Sequence, residues 1–489
     1  MISSMVLLAA LSVPDVHAER AEVGGYFRVM ARPDLQGGEG RLGYWNLYGR
    51  LLNESPYALL NLRYNILEPQ RGTRAPWTQL HARVEGGSIG NADAGNGNLG
   101  NLRLSQTYVV AGNVLIPGVT WKIGTLESYF GDLGLYDMRP AQIFDHAVGV
   151  SARFQSEHLD LLIGSGDSGY GMHPDQYSAV LTSGGSLRVH LNDHLEFGLG
   201  GESRIEPSVD GNRNAPHITP DINYEDWIRG EVVERFLMDN PNQELDFPDP
   251  LPTSAASWRA IGYLGFGNIP VLKWNNLFAR IERLHPDIRS EEVYDGESYT
   301  LYTTELTDER WMVMVGNEMQ LQVIPDRFDL AVAGLYGLHV DEDNQLMPSD
   351  HDRRYRSLVI RGQVYATDTV HGLLESSIAE EVSTNGHAWR EHADSVFANT
   401  AGIPDARGLE FGDTDTRTTW QGKAGVVFNP MGPGIYSRPS LRLLYGVQYS
   451  NQNNAFGNNF VETLDQYNEF GNIEQHWHHV VALETEAWF

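Results

Sequence analysis

Three histidines close to the C-terminus, His476, His478 and His479, are the residues whose type most directly suggests chemistry, since imidazole is a common ligand of zinc and other transition metals. The segment that holds them alternates apolar and polar residues, and in an extended strand successive side chains leave on opposite sides. His476 and His478 then share one face and His479 takes the other, so a three-histidine site is not expected. The chain has no cysteine, which removes thiolate ligands and disulfides together. A His-Glu-x-x-His helix is absent, and the glycine-rich stretch 86 to 100 lacks the lysine and helix of a phosphate-cradling loop. No catalytic residue, metal or cofactor follows from these patterns, and the chain reads as a non-enzyme.

The strand that carries the histidines belongs to a repeating pattern of runs of about ten residues with period-two alternation. In 57 to 66, Ala58, Leu60, Leu62, Tyr64 and Ile66 fall on one face and Asn61, Arg63 and Asn65 on the other. Similar runs lie near 23 to 31, 41 to 51, 77 to 85, 102 to 112, 119 to 125, 146 to 155, 158 to 165, 185 to 192 and 194 to 202. They continue near 257 to 267, 272 to 283, 311 to 321, 328 to 338, 354 to 366, 369 to 380, 417 to 429, 439 to 450 and 476 to 489. The pattern predicts an all-β, transmembrane antiparallel β-barrel of about 18 strands, an even number suited to closure. Tight turns such as 154 to 159, 191 to 195 and 366 to 370 alternate with long connections at 203 to 256, 284 to 310, 381 to 416 and 451 to 475. Such asymmetry is that of short periplasmic turns opposite long external loops. Helical spacing of Trp227, Ile228, Val232, Val233, Phe236 and Leu237 predicts a short helix within the 203 to 256 insertion.

Composition agrees with strands: the chain has 51 glycines, 22 tyrosines and 11 tryptophans. Acidic residues number 64 against 35 basic, a net charge of -29, which argues against nucleic acid as a partner. It is compatible with a surface that faces anionic lipopolysaccharide. The apolar stretch Met5 to Val13, followed by Val16-His17-Ala18, predicts a cleaved export signal over 1 to 18 and a barrel over 19 to 489. No segment is apolar for the ~18 to 20 residues of a membrane helix.

The final run places Trp477, His479, Val481, Leu483, Thr485, Ala487 and Phe489 on one face and ends on an aromatic residue, as strands that close bacterial outer-membrane barrels do. Here the chain also resembles the maltoporin family of sugar-specific porins. The matching segments are Ile435-Tyr436-Ser437-Arg438-Pro439-Ser440-Leu441-Arg442, Gly25-Tyr26-Phe27-Arg28, Arg41-Leu42-Gly43, and Gly124 through Asp137. The last of these is similar to the inward-folded third loop that constricts those channels. The middle of the chain matches only in strand rhythm.

The resemblance implies an aromatic path for sugar rings through Tyr26, Tyr436 and Trp488, with Trp274 and Tyr48 as further steps. It implies polar partners in Arg28 and Arg41 on the wall and Asp132 and Asp137 on the constriction loop. Phe130 stands where the family has an arginine and Arg139 where it has a tyrosine, so the eyelet is rearranged. The blander alternatives are interface-girdle aromatics, ordinary charges of a water-filled lumen, and an Asp137–Arg139 pair. The expected function is facilitated diffusion of sugars or oligosaccharides through a homotrimeric channel in a Gram-negative outer membrane. A non-specific cation-preferring porin and an adhesion or structural barrel are the alternatives.

Overall fold

The computed structural model describes residues 20–33, 42–43, 46–68, 74–87, 102–169, 179–206, 255–284, 289–294, 297–302, 310–341, 353–383, 416–451 and 476–489. The expected export signal, most of the 203 to 256 insertion with its helix, and Arg41 lie outside them. The strands are β1 (Ala21–Ala31), β2 (Tyr57–Leu67), β3 (Trp77–Gly87), β4 (Arg103–Gly112), β5 (Val119–Thr125), β6 (Ser128–Tyr129), β7 (Gln142–Ile143), β8 (Val148–Gln155), β9 (Leu159–Asp167), β10 (Leu181–Asn192) and β11 (Leu195–Glu206). They continue with β12 (Ala255–Gly267), β13 (Leu272–Leu284), β14 (Arg289–Tyr294), β15 (Glu297–Tyr302), β16 (Arg310–Ile324), β17 (Phe328–Asp341), β18 (Arg353–Tyr365), β19 (Val370–Ser383), β20 (Thr416–Phe428), β21 (Ser440–Ser450) and β22 (Trp477–Trp488).

Eighteen of these strands form one antiparallel sheet, while β6–β7 and β14–β15 are separate two-stranded ladders. Each strand of the large sheet pairs with its successor, and β22 returns to β1 with Tyr26 opposite Trp488. The sheet is therefore a closed barrel without a free edge, which satisfies every strand's backbone groups internally. Short turns at 156–158, 193–194, 325–327 and 366–369 share the end at which Phe489 stops.

Alternation sets which side chains face out. On β22 the residues Trp477 and Leu483 are exposed on the outer face, whereas His478, Val480, Ala482, Glu484 and Glu486 are buried inside. On β2, Leu62, Tyr64 and Ile66 face outward, in register with Val23 and Ala21 of β1. Phe489 lies on the outside over Gly25, whose two backbone bonds to it extend the seam by one residue. A Cβ at Gly25 would come 2.3 Å from the Phe489 ring, so the terminal aromatic fits only over glycine.

The described residues of the run 41 to 51 form no strand. Residues Asn46–Tyr48 form a 3-10 turn, and Leu42, Leu47, Tyr48, Leu51 and Leu52 are buried inside the barrel. Their apolar periodicity has a different cause: Leu42, Leu51 and Leu52 pack against Leu373, Val427, Leu444, Val480 and Ala482 of the inner wall. A second segment, 126 to 147, also folds inward, with Leu133, Leu135, Tyr136, Ile143 and Phe144 fully covered. This segment is the expected constriction loop. The turn between β20 and β21 adds Ile435 to the same core.

Candidate functional site

The lumen is filled unevenly. Inward-facing residues of β17 to β22, among them Val359, Arg361, Glu375, Gln421, Lys423 and Gln448, are buried beneath the first segment. Lys423 Nζ reaches the carbonyl of Tyr48 at 2.9 Å and Glu375 at 2.8 Å, and the Tyr48 hydroxyl donates to Glu381 at 2.7 Å. The opposite wall stays accessible: Asn61, Arg63, Arg83 and Arg153 face inward on β2, β3 and β8 and are solvent-exposed or nearly so.

A charged junction joins the two inward segments to the seam. Arg28 points inward because its neighbours Phe27 and Val29 face lipid-side positions on β1. It pairs with Glu54 of the first segment, lies 3.4 Å from Asp137 of the second, and donates through Nε to the Ser55 carbonyl at 3.1 Å. Arg50 donates to Glu54 at 3.1 Å and to Glu486 at 2.9 Å, while its backbone N–H bonds the Leu135 carbonyl at 2.8 Å. Glu486 also accepts from Tyr26 at 2.9 Å and from Arg442 at 2.5 Å, and pairs with Arg438 at 2.6 Å. Charge-assisted bonds of this kind are strong when every partner is supplied, and removing one leaves a buried charge exposed to its neighbours.

Within the segments, burial pushes the Glu54 carboxyl up to about 8 against the opposing pull of Arg28 and Arg50. Asp137 is pushed up by burial too, yet Arg50, the hydrogen bond from Glu54 and Arg28 bring it down to about 2. The two carboxyls are coupled through a mutual hydrogen bond, which needs one proton between them. Burial also raises Asp132, with Asp137 adding to the shift.

The expected residues divide into groups. Tyr26, Arg28 and Asp137 meet in this junction, and Trp488 rests on Tyr26 with ring centroids 4.4 Å apart. Trp488 faces inward, in register with Tyr26, and is 59% exposed, whereas Tyr26 is 3% exposed. Tyr436 stands apart, in the turn before β21 and not on a strand face; its hydroxyl donates to Glu318 at 2.5 Å and its ring lies 6.0 Å from Trp274. Asp132 bonds the wall through its carbonyl, which accepts from Asn276 at 3.3 Å. Arg139 does not pair with Asp137: it lies 3.9 Å from Glu127 and stacks over Tyr129 at 4.2 Å. Phe130 packs edge-on against Tyr263 at 5.7 Å and ties the loop to β12.

Arg50, Glu54, Glu318, Glu486 and Lys423 were not among the residues expected to act. A usable signal was present, since Val480 and Ala482 are apolar on the lumen face of β22 and so require a covering segment inside. The spacing Gly-x-Ser-x-Gly does occur once, at Gly86 to Gly90. A nucleophile elbow needs a strand-to-helix turn around that serine, and Ser88 lies outside the described residues.

No protein-family model matches the chain, and no curated protein does. Among solved structures, the outer membrane protein OprD from Pseudomonas aeruginosa is 10% identical, with 96% of this chain and 94% of that one covered and a TM-score of 0.39. OmpT, an outer membrane protein of Vibrio cholerae, is 8% identical over 97% and 99% of the two chains with a TM-score of 0.38. The outer membrane channel DcaP of Acinetobacter baumannii is 11% identical over 96% and 97%, with a TM-score of 0.37. Likeness at this level says nothing of solute or mechanism, and the fold rests on the register of the chain's own strands.

Proposed function

We propose that this barrel is an outer-membrane channel for passive diffusion of small hydrophilic solutes, with sugars as the favoured class. The observation that carries the reading is the half-filled lumen: the two inward segments together cover the wall from β11 round to β22, while polar and charged side chains stay accessible along β2 to β8. Water and solute need such a polar passage, and the apolar outer face of β1, β2 and β22 suits lipid. Sugars are favoured because Trp488 offers an exposed ring face while Asn61 and Arg63 carry accessible polar groups to which hydroxyls can bond. Assembly as a homotrimer and export by the first eighteen residues belong to the same proposal.

Planar-bilayer conductance titrated with maltooligosaccharides tests it. Saturable block is the expected result. Conductance without block would leave a non-specific porin, and no conductance would leave an adhesion or structural barrel.

A further inference from the structure

Most cations inside the barrel are neutralised at short range. Arg361 and Lys423 share Glu375, Arg417 pairs with Glu381, and Arg442 with Glu486. The inner face of β3 and β5 is different. Arg83 faces inward between Asn61 and Gln106, and its Nε donates to the Asn61 amide oxygen at 2.9 Å. Among the described residues, no carboxylate lies within ion-pair distance of it. Lys122, inward-facing on β5, has its ammonium 3.2 Å from the Glu127 backbone carbonyl and 4.1 Å above the Tyr108 ring, again without a carboxylate at ion-pair distance among the described residues.

These cations converge on Glu127: Gln106, directly opposite Arg83, donates to its carboxylate, and Lys122 donates to its backbone carbonyl. Arg139 enters from the second inward segment, stacked on Tyr129, with Glu127 as the nearest carboxylate at 3.9 Å. Three cations therefore face one part of the passage with two carboxylates among the described residues, Glu127 and Glu85, and the Glu85 carboxylate is engaged by the Tyr57 hydroxyl at 2.8 Å. The same place supplies what a hydroxylated ring needs: Tyr129 is 47% exposed, and Asn61 carries an exposed amide toward the lumen.

We propose that Arg83, Lys122 and Arg139, with Tyr129, form a binding subsite for an anionic sugar, a hydroxylated ring bearing a carboxylate or a phosphate. The proposal rests on the channel reading above and narrows its solute class. An anion there completes two cations that have no carboxylate at ion-pair distance among the described residues, and the guanidinium groups offer forked donors to either oxyanion. A neutral sugar gains the ring face and the amide alone.

Single-channel current in a planar bilayer tests this with matched probes: trigalacturonate against maltotriose, and glucose 6-phosphate against glucose. At least one anionic probe is expected to block at concentrations about tenfold lower than its neutral match, the effect of one charge-assisted hydrogen bond. The responding pair identifies carboxylate or phosphate. In the double variant Arg83→Gln, Lys122→Gln, checked for folding by its heat-shifted gel mobility, that ratio is expected to fall to about one. Equal block by anionic and neutral probes overturns the proposal, as does a preference that survives the double variant. If the wild-type protein carries no current, the channel reading fails by itself. Titration calorimetry of the detergent-solubilised protein with trigalacturonate and with glucose 6-phosphate then decides: binding lost in the double variant upholds the subsite, and no such binding overturns it.

Discussion

Glu54 has two arginines beside it, yet its carboxyl is pushed up to about 8, because burial costs the carboxylate more than the guanidinium groups return. Its folded value, about 8, is above the ordinary 4.5, so its contribution to the junction is complete below about 4.5 and is lost as pH rises through about 8. Open-channel noise is therefore expected to grow between pH 7 and 9 and to stay flat in Glu54→Gln, which keeps the neutral form; unchanged noise in the wild type across that range would refute the shared proton. Trp488 makes a second test at this scale. Its ring is the exposed partner of Tyr26, so Trp488→Ala is expected to weaken maltooligosaccharide block by roughly tenfold, about the worth of one aromatic contact, while the unitary conductance is kept.

The inward segment 42 to 55 is fastened to the wall at its 3-10 turn as well as at the charged junction. Lys423 bonds the Tyr48 carbonyl and Glu375, and the Ser357 hydroxyl bonds the Leu47 carbonyl. Lys423→Met removes a buried charge and leaves Glu375 with Arg361 alone, a change expected to cost part of the roughly 3 to 5 kcal/mol that a wholly unpaired buried charge costs. A lower denaturant midpoint and a larger unitary conductance are expected, since the segment would leave the lumen; an unchanged conductance would show that other contacts suffice. The barrel strands were readable because lipid outside and polar groups inside impose period two on every one of them, as in Leu62, Arg63 and Tyr64. The segment was misread for a related reason. Leu42, Leu47 and Leu51 meet an apolar inner wall, and their spacing imitates a strand although the chain there turns. The junction was half legible. Arg28 and Asp137 could be placed by likeness, but Arg50 and Glu54 are recruited by a fold in three dimensions that no local pattern marks.

Closure ties the whole molecule to its two ends. Gly25 admits the Phe489 ring on the outside, so Gly25→Val is expected to lower the yield of closed barrel on refolding, read as loss of the heat-shifted form on gels. On the inside, the same seam carries the Tyr26–Glu486 bond between residues 460 positions apart. Pairing across such a distance is the slowest kind to form, so the ionic junction that joins the constriction loop to the seam is complete only in a barrel that has zipped shut. The pore thereby becomes a witness to its own completion: an open intermediate lacks the ionic latch that narrows it. Tryptophan emission follows this directly, because Trp488 stacks on Tyr26 only across the closed seam, and the last refolding phase should carry its spectral change. A Trp488→Phe variant that kept this late signal would assign it to another residue and break the link between zipping and narrowing.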